Sequence, residues 1–179
     1  MTGTDANSGG DITAVNAGTG LTGGGTSGNV TVALNSAYTD SRYWLLTGNA
    51  GLTSGTRFVG TLGAVPLDLR TSGTRALRLE PTAGTPNLIG GYSGNSVASG
   101  VRGATIGGGG NVTDVNIVTD SYGTVGGGAL NRAGNNSGTP TDASYATVSG
   151  GWSNTASGGA GTIGGGLSNT ASGGAGTIG

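Results

Sequence analysis

"GGWSNTASGGAGTIGGGLSNTASGGAGTIG" occupies residues 150–179 and repeats nearly the same unit after fifteen positions. A β-branched residue followed by small residues marks each unit, and the same mark recurs upstream at wider spacing. Repetition at so short a period, interrupted by insertions, is typical of a protein whose units stack on one another. The marked positions are Ile89, Ile106, Val125, Val148, Ile163 and Ile178.

The unit is too short and too rich in glycine for a helical repeat. Helical repeats take about 33 residues or more, and each glycine within a helix costs about 1 kcal/mol relative to alanine. Two short strands joined by two tight glycine turns fit fifteen residues and close one coil of a parallel β-solenoid. The sequence therefore predicts an all-β fold, in which a parallel β-solenoid with coils of about fifteen residues follows a mixed-β segment.

Stacked coils place equivalent residues above one another, about 4.8 Å apart. The six marked residues are then predicted to form a buried structural column of isoleucine and valine. An asparagine follows each of the first five marked residues after five or six positions, which predicts a ladder of side-chain amides along the stack. The predicted ladder consists of Asn95, Asn111, Asn131, Asn154 and Asn169.

Each coil carries few large apolar side chains. In the last full unit these are Ile163 and Leu167, with help from Ala171 and Ala175. Such a small buried area hardly offsets the conformational entropy lost when a coil becomes ordered. We therefore expect an obligate oligomer in which the isoleucine and valine column of each chain faces its partners.

The period is lost upstream of the repeats, which suggests three segments. Residues 1–36 form a glycine-rich β segment, residues 37–86 a fibre segment containing a β-hairpin, and residues 87–179 the solenoid, which we expect to continue beyond residue 179. A helical turn is predicted near Ala37. In the hairpin, "VPLDLRT" and "RALRLE" flank Ser72 and Gly73, and leucines alternate with charged residues. That alternation predicts one buried leucine face.

The composition excludes several functions. The chain has 43 glycines, no cysteine and no histidine, and all seven of its basic residues are arginine. Catalysis by a cysteine, histidine or lysine nucleophile or base is therefore excluded, as are thiolate metal sites and disulfides. A net charge of −1 without a basic run argues against a nucleic-acid partner. Short apolar stretches argue against membrane insertion, and the N-terminus lacks a signal peptide. We expect no catalytic residue, cofactor or metal site.

Three motifs with a possible chemical role are weak. "GTGLTG" at residues 18–23 has the spacing of a dinucleotide loop, but no helix can begin in the "GGTSGNVTV" that follows it. "GGGGNVTDV" at residues 107–115 is similar to a calcium-binding β-roll repeat, but Val112 stands where that repeat needs aspartate. The eight acidic residues are scattered, so a glycan-cleaving site built between subunits remains only an alternative.

Two polar insertions, Asp114–Ser121 and Asn135–Ala143, interrupt the repeats, and both are expected at one corner of the coil. Loops that project from a rigid stack are candidates for recognition, with solvated loops that bind nothing as the alternative. An isolated ion near Asp114 or Asp120 is a further alternative. Trp152 and Trp44 are either sugar-stacking platforms or core residues, and the alignment of Trp152 with Leu167 favours the core. The candidate recognition residues are Asp114, Asp120, Asn135, Asn136 and Asp142.

The segment "ATVSGGWSNTASGGAGTIGGGLSNTASGG" resembles the head repeats of YadA-like trimeric adhesins, and it is still more similar to repeats in phage-type tail fibres. Stretches similar to "ITAVNAGTGLTGGGTSGNVTVAL" and "RYWLLTGNAGLTSGTRFVGTLGAVPLDLRTSGTRALRLEP" precede such repeats in those fibres, so the resemblance covers most of the chain. It implies left-handed β-rolls wound as a homotrimer.

The resemblance also implies a function, namely a structural segment of a homotrimeric tail fibre that supports host-cell attachment. Its partners would be its own copies and other fibre or baseplate proteins. Its place would be an extracellular particle, a virion or injection-system tail, made in the cytoplasm without a signal peptide. The alternative is an adhesin head on the bacterial surface that binds a receptor or glycan through corner loops. The signal peptide and membrane anchor of the adhesins are absent here, as is the lysine of the endosialidase-type chaperone that ends many fibres.

Overall fold

A computed structural model describes residues 13–40 and 58–179, which fall into two units, Met1–Val59 and Gly60–Gly179. In the first unit, β1 (Val15–Asn16), β2 (Leu21–Gly25) and β3 (Val32–Leu34) form an antiparallel sheet, followed by α1 (Ser36–Asp40). The helix lies where a helical turn was predicted. The rest of that prediction, with Trp44, lies outside the described residues.

The second unit consists of two sheets, whose strands are β4 (Leu67–Thr71), β5 (Thr74–Glu80), β6 (Asn87–Gly90), β7 (Ser96–Val97), β8 (Thr105–Ile106), β9 (Ile117–Val118), β10 (Thr124–Val125), β11 (Arg132–Ala133), β12 (Thr147–Val148), β13 (Thr155–Ala156), β14 (Thr162–Ile163), β15 (Thr170–Ala171) and β16 (Thr177–Ile178). The first sheet runs in the order β4, β5, β6, β8, β10, β12, β14, β16, and the second in the order β7, β9, β11, β13, β15. From β6 onward the chain alternates between the two sheets and every neighbouring pair within a sheet is parallel. Five successive coils result, and the predicted all-β parallel solenoid is confirmed.

The predicted column of isoleucine and valine lies in register along the first sheet. Its side chains point into the coils, where they pack against Val97, Val118, Ala133, Ala156 and Ala171 of the second sheet. Ile106, Val125, Val148 and Ile163 have no exposed surface even in the single chain. The expectation that this column faces partner chains is therefore wrong, because each coil encloses its own apolar pair.

The amide ladder runs through Asn116 and not through the predicted Asn111. The side-chain oxygen of each ladder asparagine accepts the backbone N–H of the next, in the order Asn95, Asn116, Asn131, Asn154, Asn169, at 2.9 to 3.0 Å. Each of these asparagines directly precedes a strand of the second sheet. An asparagine therefore joins the ladder because of its position relative to that strand. The insertion before β9 separates Asn111 from that strand.

The side-chain Nδ2 of each ladder residue closes a corner of the coil. Nδ2 of Asn131 donates to the carbonyl of Gly127 in its own coil and to that of Gly151 in the next, both at 2.9 Å. Nδ2 of Asn154 donates in the same way to Gly150 and Gly166. The side-chain oxygen and both N–H groups of such an amide are thus hydrogen-bonded, which allows the asparagine to be buried.

The hairpin β4–β5 extends the first sheet, because β5 pairs antiparallel with β6. Leu79 lies opposite Leu88, and Arg78 lies opposite Ile89. Since opposite residues share a face, the leucines lie on the outside of the solenoid and the charged residues cover the end of its interior. The boundary drawn at residue 86 therefore falls inside one sheet. The outer leucine face consists of Leu67, Leu69, Leu77, Leu79 and Leu88.

The leucine face is open in the single chain, contrary to the expectation that it is buried. Leu69 is 50% exposed and Leu79 is 40% exposed. The opposite side of the hairpin forms a polar cap in which Asp68 pairs with Arg78 at 2.8 Å and with Arg70 at 3.0 Å. Arg75 donates to the carbonyls of Ser93 and Asn95, which ties the cap to the first coil.

Candidate functional site

The stretch Asp114–Ser121 does not form a single corner insertion as expected, because it contains strand β9 (Ile117–Val118) and only its end, with Asp120, lies at the corner of the loop Asn135–Ala143. The loop Asn135–Ala143 connects β11 to β12, on the return from the second sheet to the first. Asp114 belongs instead to the connection from β8 to β9, which runs from the first sheet to the second. The loop Asn135–Ala143, called the corner loop, is the candidate recognition surface.

Asp120 anchors the corner loop from inside. Its side chain is fully buried, and its carboxylate accepts the backbone N–H of Asn135 at 2.9 Å and that of Ala143 at 3.2 Å. The hydroxyl of Thr119 donates to the same carboxylate and accepts the N–H of Asn136. Both ends of the loop are thereby held by one coil, so Asp120 positions the loop and does not face a ligand.

Asp142 presents the exposed charge of the corner loop. Its carboxylate accepts the hydroxyl hydrogen of Ser137 at 2.8 Å. This bond, and after it the side chain of Asn135, lowers the pKa of Asp142 below its ordinary value. An ionised, exposed carboxylate on an anchored loop can accept hydrogen bonds from hydroxyl or amide groups of a binding partner.

Asp114 does not join this surface. Its carboxylate accepts a hydrogen bond from Nδ2 of Asn111 at 3.1 Å, and the Thr113 hydroxyl donates to the side-chain oxygen of Asn111 at 2.8 Å. The side-chain oxygen of Asn111 in turn accepts the N–H groups of Thr113 and Asp114, which makes a self-contained turn. Within residues 13–40 and 58–179, no three carboxylates converge as a metal site would need.

Two stacked tyrosines stand beside the corner loop, and the sequence analysis missed them. The rings of Tyr122 and Tyr145 lie 5.1 Å apart between centroids and 6° from parallel. Both residues have a left-handed backbone, with φ of 61° and 67°. Their positions correspond to Ala160 and Ala175 in the compact repeats. An alignment of the coils places the two tyrosines opposite these alanines, and this difference in the sequence could have indicated the pair.

A groove of about 590 Å³ lies between the corner loop and the segment that follows β5. Pro140 and Thr141 contribute from the loop, and Glu80 and Arg102 contribute charges of opposite sign. Its volume is in the range of sites for small molecules and short oligomers. The groove is further lined by Pro81, Thr82, Ala83, Asn87, Val97, Ala98, Ser99, Gly100, Val101 and Ser121.

Trp152 and Leu167 form an apolar stripe at the corner where the ladder lies. They are in parallel register with each other and with Ala129, as their alignment indicated. However, Trp152 is 44% exposed and Leu167 is 68% exposed. The interpretation of this pair as core is therefore wrong, because the position lies between the left-handed glycine corner and the ladder asparagine, outside the coil.

The Asp142 carboxylate can accept hydrogen bonds from a partner, and the tyrosine pair offers an aromatic ring for stacking. Among the described residues, no helix is long and apolar enough to cross a membrane. No family model, curated protein or solved structure matches this chain.

Proposed function

We propose that this chain is a non-enzymatic structural segment of a homotrimeric fibre that supports host-cell attachment on a phage or phage-like contractile injection particle. The observation that carries the proposal is the leucine face, an apolar surface on the outside of a rigid sheet. Monomeric proteins seldom leave such a surface uncovered, and self-association is a common way to cover it.

The leucine face continues into a column of threonines along the same outer face of the first sheet, half-buried except for the exposed Thr177 at its end. Leu88 is in register with Thr105, and the column continues through Thr124, Thr147, Thr162 and Thr177. A flat face of short side chains lets neighbouring copies approach closely along the whole solenoid. This geometry supports a trimer in which the three leucine faces meet around an axis. The contact between chains is then made by the leucine faces and not by the isoleucine and valine columns.

The solenoid supports the mechanical part of the proposal. Each coil bonds to the next through both sheets and through the asparagine ladder, so the stack resists bending and fraying. Such a rod would hold a receptor-binding part away from the particle. Its partners would be its own copies and other fibre or baseplate proteins, outside the cell.

The solution mass of the full chain, measured by size exclusion with light scattering, tests the proposal. We expect a mass of three chains, and we expect Leu79→Glu to give a folded monomer because a charge then lies within the leucine face. Leu167→Glu is the matched control, since it places the same charge on an exposed leucine outside that face. A monomeric wild-type protein, or a trimer that survives Leu79→Glu, would contradict the proposal.

A second candidate function is an adhesin head that binds a receptor or glycan through the corner loop on a bacterial surface. The anchored loop with its ionised Asp142 favours it. Removal of the whole loop would take away both backbone N–H groups that the buried Asp120 carboxylate accepts, so the sharper variants are Ser137→Ala and Asp142→Ala. Loss of cell binding with unchanged mass, together with full binding by Asp114→Ala, would favour the adhesin over the purely structural role.

A further inference from the structure

We infer that the exposed ring of Tyr145 is a stacking platform for a neutral pyranose ring of a glycan. This inference rests on the second candidate function, recognition at the corner beside the loop Asn135–Ala143, and it is independent of the trimer. Four features of the corner lead to it, namely backbone conformation, ring exposure, the residues of the following coils and the nearby polar groups.

The backbone at this corner is left-handed in every coil. The φ angles are 66° at Gly103, 61° at Tyr122, 67° at Tyr145, 56° at Ala160 and 58° at Ala175. Bulky residues are rare in this conformation, and glycine adopts it without steric cost. A tyrosine at this corner therefore carries a backbone cost relative to glycine, which the contacts of its ring must offset.

The stack has one covered end and one open end. A Cβ placed on Gly103 would lie 2.6 Å from the ring of Tyr122, so that ring lies over the glycine of the preceding coil. Tyr122 is half-buried and stacks on Tyr145, which is 62% exposed. The following coils present only the methyl groups of Ala160 and Ala175, both exposed.

A ring-shaped ligand can therefore continue the stack beyond Tyr145. The two tyrosine rings repeat at 5.1 Å, close to the spacing of the coils, so the next ring position lies above Ala160. A pyranose fits because one face of the sugar carries mainly C–H groups, which pack on the negative face of an aromatic ring. Its rim of hydroxyls can remain hydrated or bonded to the protein.

Polar groups suited to sugar hydroxyls lie beside this position. Asp142 precedes Tyr145 by three residues, and its carbonyl oxygen lies 4.0 Å from a Cβ placed on Gly159, the neighbour of Ala160. The exposed Asp142 carboxylate accepts the Ser137 hydroxyl and interacts with the Asn135 side chain, and a carboxylate with about four acceptor sites can accept further hydrogen bonds. A negative charge here and a net charge of −1 for the chain favour a neutral sugar over an anionic one or a nucleic acid.

Saturation-transfer difference NMR on the full chain tests the inference, with methyl β-D-galactopyranoside, methyl β-D-glucopyranoside and lactose as probes. We expect saturation of the C–H protons on one ring face of at least one probe. Tyr145→Ala should weaken binding about tenfold or more, and Tyr145→Phe should retain it because the ring remains. If no probe is saturated, or if Tyr145→Ala binds as the wild type does, the inference is wrong.

Three further variants separate ring loss from misfolding. Ala stands at the equivalent backbone position in the next two coils and Gly in the first, so Tyr145→Ala and Tyr145→Gly should keep the native circular dichroism spectrum. Ala160→Leu leaves Tyr145 intact but covers its open face; Leu130 shows that leucine is accommodated at φ 57°, and binding should be lost. Tyr92→Ala removes a ring from the β6–β7 connection and should leave binding unchanged.

The outcomes also separate this inference from the proposed functions. If Asp142→Ala loses cell binding while Tyr145→Ala binds cells and sugar probes as the wild type does, the adhesin function is supported and the stacking platform is wrong. Sugar binding by a monomeric wild-type protein would reject the trimer and keep the platform.

Discussion

The side-chain oxygen of Asn131 accepts the backbone N–H of Asn154, one coil further along the stack, at 3.0 Å. The same amide donates to the carbonyls of Gly127 and Gly151. One buried side chain therefore joins a corner of its own coil to the backbone of the next. This relation makes the ladder a side-chain contribution to the cohesion of the coils, beside the backbone hydrogen bonds of the two sheets.

Replacement of Asn131 by alanine should destabilise the protein by about 3 kcal/mol, because three hydrogen bonds are lost and the backbone N–H of the buried Asn154 is left without its acceptor. Denaturant unfolding followed by circular dichroism measures the change. Asn111→Ala is the matched control, since Asn111 lies in an exposed turn off the ladder, and its effect should be under about 0.5 kcal/mol. Equal effects at the two positions would contradict the assignment of the ladder.

Gly128→Ala should cost about 2 kcal/mol or more, because the residue has a left-handed φ of 72°. A Cβ there would also collide with the carbonyl oxygen of Gly151 in the next coil. Gly127→Ala provides the comparison, since nothing lies within 4 Å of its added Cβ. Thermal melts of the two variants should differ clearly, and similar melting temperatures would argue against close stacking at this corner.

Ile163→Ala should destabilise by about 2–5 kcal/mol, because it leaves a cavity in a fully enclosed coil. Leu167→Ala, four residues later, should change stability by under about 0.5 kcal/mol because this side chain is mostly exposed. Chemical denaturation at a fixed protein concentration checks both values. A larger loss at Leu167 than at Ile163 would restore the idea that the corner stripe is core.

The polar cap should weaken in acid. The hydrogen bond from Arg78, with help from Arg70, lowers the pKa of Asp68 from 3.8 to about 2. A lowered folded-state pKa means that the stabilisation is present above about pH 4 and is lost as the pH falls toward 2. The protection factors of the β4 and β5 amides, which are corrected for the intrinsic pH dependence of exchange, should therefore fall over this interval.

Asp68→Asn should lower the protection factors of the β4 and β5 amides at neutral pH. It should also remove most of the change in these factors between about pH 4 and pH 2. Asp114→Asn, which changes a carboxylate at a remote corner, should leave the exchange of β4 and β5 unaltered. An acid dependence that persists without Asp68 would show that another carboxylate controls the cap.

The sequence by itself determined the coil and most of its columns. A period of fifteen residues with β-branched residues at one position leaves little choice but short strands in parallel register, because every coil must present the same residue to its neighbour. Ile163 and Ile178 could be aligned by counting alone. The hairpin around Ser72 and Gly73 was equally readable, because its alternation is local.

Only the tertiary structure decided which way these faces point. Closure of a coil turns the isoleucine and valine column inward, and the pairing of Leu79 with Leu88 then forces the leucines of the hairpin outward. No local pattern contains that information, since exchanging the two faces leaves the alternation unchanged. The same holds for Asn116 and for the stack of Tyr122 on Tyr145. In both cases the insertions change the number of residues between equivalent positions of successive coils. The hydrogen bonds between coils, not that number, decide which side chains lie next to each other.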